Sequence, residues 1–358
     1  MTTRADEADG ATAAFQIALT SIGVELVSDA LVLWDDVPQP GQPEKVAGWV
    51  DEAVQLVMGR RTLAVQLALA YYRLVRALRT GKTIADPRTL EPKYVTLQKL
   101  RFEFRQLAEP RLSERYRQQF LPQHQATSSS PPSPNPGTGG AFPSNDDLDR
   151  ILVEEIEDLR EKEEADAQAA DDELRIAIEQ LGIKNRDALY DDIDTSRPSS
   201  EVDRDRLAAH DKAGVRQAAA GERIAMNGGR SAIWNYHDAD PRCIGWIRVS
   251  LTGTPCGWCA MQISRGPVFK GKWSDGFEYA DGDKYHDNCH CVMVPVFSLE
   301  EYRTGDRYAL NREYEALWPK VTAGHTGKAA LTVWRRYIRQ QAKSRAQEAP
   351  ATTNAQEA

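Results

Sequence analysis

The sequence predicts an α+β protein that is mostly α, with a helical N-terminal domain and a small Cys/His-rich α+β module towards the C-terminus. Three observations lead there. Apolar residues recur at helical spacing through the first 120 residues. All five cysteines are crowded between Cys243 and Cys291. Two short strand-like runs, Gly245 to Leu251 and Cys291 to Phe297, flank that crowd.

The helical half is built from four-residue steps. Phe15, Leu19, Ile22 and Leu26 mark one buried face, and Pro38, Gly41 and Pro43 interrupt it. Val46, Val50, Val54 and Val57 begin a second face, which Leu63, Leu67, Ala70, Leu74 and Leu78 continue up to a stop at Gly81. Tyr94, Leu97, Leu100, Phe104 and Leu107 mark a third stretch. Residues 124–143 are rich in Ser, Pro and Gly. Such a segment buries too little apolar surface to offset its chain entropy, so it is expected to be a flexible linker. Beyond it, Ser144 and Asp147 resemble a helix N-cap pair, with Leu148, Leu152, Ile156 and Leu159 as the stripe of an acidic helix. Residues 212–236 predict a further helix, weakened at Gly228 and Gly229. Lys328 to Arg345 predict a basic helix containing Trp334 and Tyr337, followed by a disordered tail.

Charge narrows the function classes. The formal net charge of -8 excludes a chain that is a polycation throughout. From Ser144 to Asp211 there are 23 Asp and Glu against 9 Lys and Arg. Charge runs of this kind are usually solvated helix faces; the alternative is an assembly surface for a basic partner. The start, MTTRADEADG, lacks the layout of a signal peptide, and the apolar stretch Leu63 to Tyr71 is too short to span a bilayer. The expectation is a soluble protein made in a reducing cytosol and no membrane partner.

In that compartment, crowded cysteines favour a metal over disulfides. The sequence reads Cys256-Gly-Trp-Cys259, then 26 residues, then His286-Asp-Asn-Cys289-His290-Cys291. Two thiolates separated by two residues reach one tetrahedral ion, because the intervening turn points them the same way. On an extended segment Cys289 and Cys291 face one side and His290 the other. The ligand candidates are therefore Cys256, Cys259, Cys289 and Cys291, with His286 able to replace one of them, around one structural zinc ion. Packed core thiols or disulfides are the alternative. Cys243 stands apart and reads as a buried thiol. Ser264 and His286 form the only candidate nucleophile and base, with Asp275, Asp281, Asp283 and Asp287 nearby to orient the base. No GxSxG elbow is present, and the plainer reading has Ser264 packing the turn Ser264-Arg265-Gly266. The basic helix could bind phosphate, although no phosphate-cradling glycine loop appears; a solvated surface helix, or one docking on an acidic partner, is the plainer reading.

The runs Asp240 to Val249, Thr254 to Met261, Ser264 to Phe269, and Tyr285 to Cys291 with Pro295-Val-Phe297 resemble MuF-like minor capsid (head morphogenesis) proteins of tailed bacteriophages, of the actinobacteriophage type. The shared pattern is a CxxC pair followed by HxxCxC just before a Pro-Val-aromatic strand. It covers about residues 212–300. Many members have Pro after the histidine, where this chain has Asp287. The resemblance implies a low-copy virion component of the phage head, made in the host cytoplasm and acting in procapsid assembly. Its implied partners are the portal protein, the major capsid or scaffold protein, and packaged DNA. A capsid maturation protease using Ser264 and His286, or a DNA-binding zinc module, are the other functions found or conceivable among such proteins.

The expected division is a helical domain over 1–123, the linker over 124–143, an acidic helical segment over 144–211, the Cys-rich core over 212–300, and a basic helix with its tail over 301–358. Limited proteolysis should cut first within 124–143 and leave two stable fragments; first cuts inside 245–297 would contradict the division.

Overall fold

The computed structural model describes residues 3–120, 149–250, 255–270, 285–287 and 289–348. The expected linker, the Ser144–Asp147 cap pair, Leu148, Asp275, Asp281, Asp283 and the extreme C-terminus lie outside the described residues. The chain divides into two compact units. The first is Met1–Asp240 with Tyr285–Asn288; the second is Pro241–Lys284 with Cys289–Ala358.

Three long helices build the first unit: α1 (Arg4–Asp35), α2 (Pro43–Thr80) and α7 (Ser199–Ala239). Each packs against the other two. Helix α1 starts in a capping box, with the Asp6 N–H donating to Thr3 Oγ1 at 3.1 Å and the Thr3 N–H to Asp6 Oδ2 at 2.9 Å. By length and composition α1 is apolar enough to cross a membrane. This was not apparent from Leu63–Tyr71 alone. Its face Phe15, Leu19, Ile22 and Leu26 is buried in the unit, with Phe15 stacked on Tyr71 at 4.4 Å between ring centroids. Helix α2 begins at Pro43 and ends where Gly81 takes a left-handed conformation with φ 73°, as the sequence anticipated.

Helix α7 runs unbroken through Gly228 and Gly229, where the sequence suggested a weak point. The pair lets α2 come close. A Cβ on Gly228 would sit 2.8 Å from the Arg61 carbonyl oxygen, and one on Gly229 2.9 Å from that of Ala64. The cost of two glycines in a helix interior, about 1 kcal/mol each, is thus offset by backbone approach.

A mixed three-stranded sheet closes one end of the unit. Strand β3 (Arg150–Glu154) lies between β1 (Lys82–Ile84), to which it is parallel, and β2 (Tyr94–Thr96), to which it is antiparallel. Here the reading of an acidic helix from Ser144 is corrected. Leu152 lies on β3, Ile156 follows it outside any helix, and helix α5 (Leu159–Ala177) starts only at Leu159. The run Ile151-Leu152-Val153 finds two strands to pair with, and that outweighs its helical spacing. Helix α3 (Leu97–Ala108) follows β2, and α4 (Glu114–Phe120) packs on α1. A π-turn over Ile178–Ile183 joins α5 to α6 (Lys184–Asp191). Ala170, Leu174 and Ala177 bury one side of α5, while Glu161, Glu164, Asp172 and Glu173 stay exposed.

One buried ion pair joins three elements. Arg76 of α2 donates to Asp240 at 2.7 and 3.0 Å and to Glu154 of β3 at 2.6 Å; the Tyr72 hydroxyl donates to Asp240 at 2.9 Å. Asp240, fully buried, ends α7.

The second unit contains an antiparallel sheet in the order β5-β4-β6, from β4 (Gly245–Val249), β5 (Val268–Phe269) and β6 (Val292–Val296). Register pairs Gly245 with Val296 and Val249 with Val292. Pro295 is accommodated because β6 is an edge strand. Helices α8 (Gly257–Ile263), α9 (Leu299–Thr304), α10 (Ala309–Val321) and α11 (Gly327–Glu348) complete it. The unit boundary at Asp240 falls inside the stretch 212–300 expected as one core, because α7 is committed to α1 and α2. Likewise α10 and α11 are part of the second unit and not a separate basic tail. Trp334, Ile338 and Tyr314 bury themselves against Ala260, Met261 and Ile263 of α8.

The Arg76–Asp240 pair gives a direct test. Asp240→Ala removes the fully buried partner of the Arg76 guanidinium, leaves it the partly exposed Glu154, and should cost the first unit about 3 kcal/mol in chemical denaturation. The double variant Arg76→Met/Asp240→Leu should recover part of that loss.

Candidate metal centre

Helix α8 and the extended segment leading into β6 bring the cysteines together. Cys256 is the N-cap of α8, its sulfur accepting the Cys259 N–H at 3.4 Å. This local bond fixes the CxxC turn and directs both thiols to the same side. Ala260, Met261 and Ile263 of α8 are held by the Tyr314–Trp334–Ile338 cluster. Asn311 of α10 adds a polar tie, donating to the Arg248 carbonyl at 2.8 Å and the Ile263 carbonyl at 3.2 Å. Opposite the CxxC turn, β6 is aligned by its ladder with β4, so the two residues before Val292 carry Cys291 to a defined place.

Cys259, Cys289 and Cys291 are all buried, and their sulfurs lie within 4.8 Å of one another. Cys259 and Cys289 are 3.3 Å apart, sulfur to sulfur. Sulfurs about 2.3 Å from a tetrahedral zinc ion are roughly 3.8 Å from each other, so the observed spacing brackets what such an ion needs. Cys256 is exposed at the edge of the group and interacts with the Cys259 thiol. The group can hold a metal ion.

The electrostatics agree with that chemistry. Hydrogen bonding with Cys256, then with Cys289 and Cys291, and then burial push the Cys259 thiol far above the ordinary thiol range. For Cys291, a hydrogen bond with Cys259 lowers the value, but Cys289 and burial prevail and the thiol is pushed up to about 12. Without a cation the Cys259 and Cys291 thiols stay protonated; a dication would favour their thiolate forms as ligands.

The remaining candidates are Cys243, Ser264 and His286. Cys243 is buried and separate, its thiol donating to the Gly245 carbonyl at 3.3 Å. Ser264 caps the end of α8, and its hydroxyl donates to the Met261 carbonyl at 2.7 Å. It therefore packs the turn, the plainer of the two readings of this residue. His286 is exposed, on the short segment Tyr285–Asn288 that goes with the first unit, with Nδ1 2.6 Å from the Asp287 carbonyl. Sequence reasoning did not foresee that α10 and α11 support the CxxC helix. The signal was present in Trp334 and Ile338, four residues apart and on one face of α11.

With this geometry in place, comparison with known proteins is informative. A family described as VG15 protein matches residues 158–317. The Gene 15 protein of Mycobacterium phage D29 is 30% identical over a 105-residue alignment covering 22% of this chain and 38% of that relative. The matched stretch is thus well under two thirds of the relative's length. No solved structure matches. These likenesses indicate a bacteriophage protein.

Cobalt substitution tests the ligand set. The full chain should give the intense visible absorption of a tetrahedral thiolate site. Cys259→Ser or Cys291→Ser should abolish it, while Cys243→Ser should leave it intact. An unchanged spectrum in Cys291→Ser would exclude this residue as a ligand.

Proposed function

We propose that this chain is a MuF-like minor head protein of a tailed bacteriophage, a structural component that acts in procapsid assembly near the portal. In this reading its second unit is a module pinned by one structural zinc ion on Cys256, Cys259, Cys289 and Cys291. The observation that carries the reading is the convergence of the CxxC turn of α8 and the CxC segment entering β6, which brings Cys259, Cys289 and Cys291 together. That convergence falls within the stretch resembling MuF-like proteins and within the segment matched by the VG15 family.

The cluster has the character of a structural site. Three of its four thiols are buried, and a set of four protein ligands leaves no open position for substrate or water. The role proposed for the metal is to lock α8 to the segment entering β6 and so hold the face the module presents to head proteins. Portal, scaffold or major capsid protein are the partners proposed, and the phage head is the proposed location. A hydrolytic role for Ser264 finds no support in its geometry, since the hydroxyl is directed to the Met261 carbonyl.

Co-expression with the portal, scaffold and major capsid proteins of the same phage tests this. The chain should sediment with procapsids at a few copies per particle, and Cys291→Ser should reduce its incorporation at least several-fold. A chain that stays at the top of the gradient while particles form without it would sink the assembly reading. Shortening of the major capsid protein that depends on Ser264 would replace it with a protease.

A further inference from the structure

Helix α11 has two faces of opposite character. Trp334 and Ile338 point into the unit, with Ala330 on the same side. At 3.6 residues per turn, Lys328, Arg335, Arg336, Arg339 and Lys343 all fall on the other side, within an arc of about 100°. All five are exposed. Thr332 and Gln340 share this face with the four cations from Arg335 to Lys343, and the helix sequence has no acidic residue before Glu348. Among the described residues none of the five cations is in an ion pair. The stripe extends over about 22 Å, at 1.5 Å per residue. The aliphatic stem of Arg335 is fixed against Gly257, which ties the stripe to the CxxC helix.

The charge of the whole chain conceals this. The second unit has 16 Lys and Arg against 11 Asp and Glu, a formal +5, although the chain carries -8. Five cations in a row without ion pairs repel one another, and an anionic partner would relieve that repulsion. The face has no apolar or aromatic anchor, which a protein interface places at its centre. Interfaces with nucleic-acid backbone are polar and strongly positive instead. Three of the five cations are arginines, whose planar guanidinium pairs bidentately with phosphate.

We propose that this face of α11 binds the phosphodiester backbone of duplex DNA without reading its sequence. The inference rests on α11 alone and stands or falls independently of the head-protein reading. No base contact is implied, since Trp334 faces inward and no side chain is available to stack.

Fluorescence anisotropy of the full chain with a labelled duplex of about thirty base pairs tests the proposal. Each neutralised phosphate contributes about -0.9 to the slope of log affinity against log salt. Four contacts predict a slope near -3.6, hence a loss of affinity on the order of 100-fold between 50 and 200 mM salt. The triple variant Arg336→Gln/Arg339→Gln/Lys343→Gln should lose most of the binding and bring the salt effect to about tenfold or less. Arg336→Gln and Lys343→Gln singly should each reduce the slope by about one, which keeps the test available should the triple variant fail to fold. Duplexes of unrelated sequence should bind alike. Absence of binding at 50 mM salt, or a variant slope equal to that of the parent, would overturn the proposal. A labelled polyglutamate that binds as tightly as the duplex, and loses binding in the same variants, would assign the face to an acidic protein segment instead.

Discussion

Helix α8 presents two faces that are buried for different reasons. One carries Ala260, Met261 and Ile263 into an aromatic cluster with Tyr314 and Trp334, held by the ordinary gain from removing apolar surface from water. The other directs Cys259 into a group of thiols whose protons are hard to remove. Neither face alone would position a seven-residue helix, since a helix that short is marginal in isolation. Because β4 and α10 are tied to it directly and through Asn311, and β6 pairs with β4, the geometry of the second unit follows from how α8 is fixed. A metal ion held by these thiols, as proposed, would supply the firmer of the two fixings. Structural zinc contributes roughly 10–16 kcal/mol of apparent binding energy in small modules, against about 5–15 kcal/mol for the net stability of a whole domain. The aromatic cluster means that the unit does not depend on metal for all of its core.

Charge is distributed unevenly between the two units. The acidic excess of residues 144–211 belongs to the first, where α5 buries Leu159, Ala170, Leu174 and Ala177 and leaves Glu161, Glu164, Asp172 and Glu173 in solvent. That is the ordinary arrangement for an amphipathic surface helix. The basic stripe of α11 is of a different kind, because its cations lie on one line with no interspersed acid. A net charge taken over all 358 residues averages two surfaces of opposite sign.

Much of this was legible in the sequence, for physical reasons that differ from place to place. The faces of α1 and α2 were legible because burial on a helix repeats every three to four residues, and Phe15, Leu19, Ile22, Leu26, Val54 and Leu67 obey that rule. The gathering of Cys259, Cys289 and Cys291 was legible because a CxxC turn and an alternating CxC segment each fix their own geometry locally. Strand β3 was not. Leu152, Ile156 and Leu159 are spaced as on a helix, and only the distant partners Lys82–Ile84 and Tyr94–Thr96 make the preceding residues a strand. Gly228 and Gly229 misled in the same way: locally they weaken a helix, and tertiary contact with Arg61 and Ala64 makes them necessary. The unit boundary at Asp240 was hidden because the buried Arg76 that binds it lies 164 positions away. Placing His286 with Tyr285–Asn288 likewise depends on tertiary contacts that spacing does not encode.

The central claim is that the thiols of Cys256, Cys259, Cys289 and Cys291 exist to hold one metal ion. Native mass spectrometry of the full chain, purified under reducing conditions without added metal, tests it most directly. The account predicts a folded species heavier than the polypeptide by one zinc ion, with the ion lost on acidification and restored by one equivalent of zinc. A folded chain at the bare polypeptide mass, which takes up no zinc when supplied, would contradict it and leave a cluster of packed thiols.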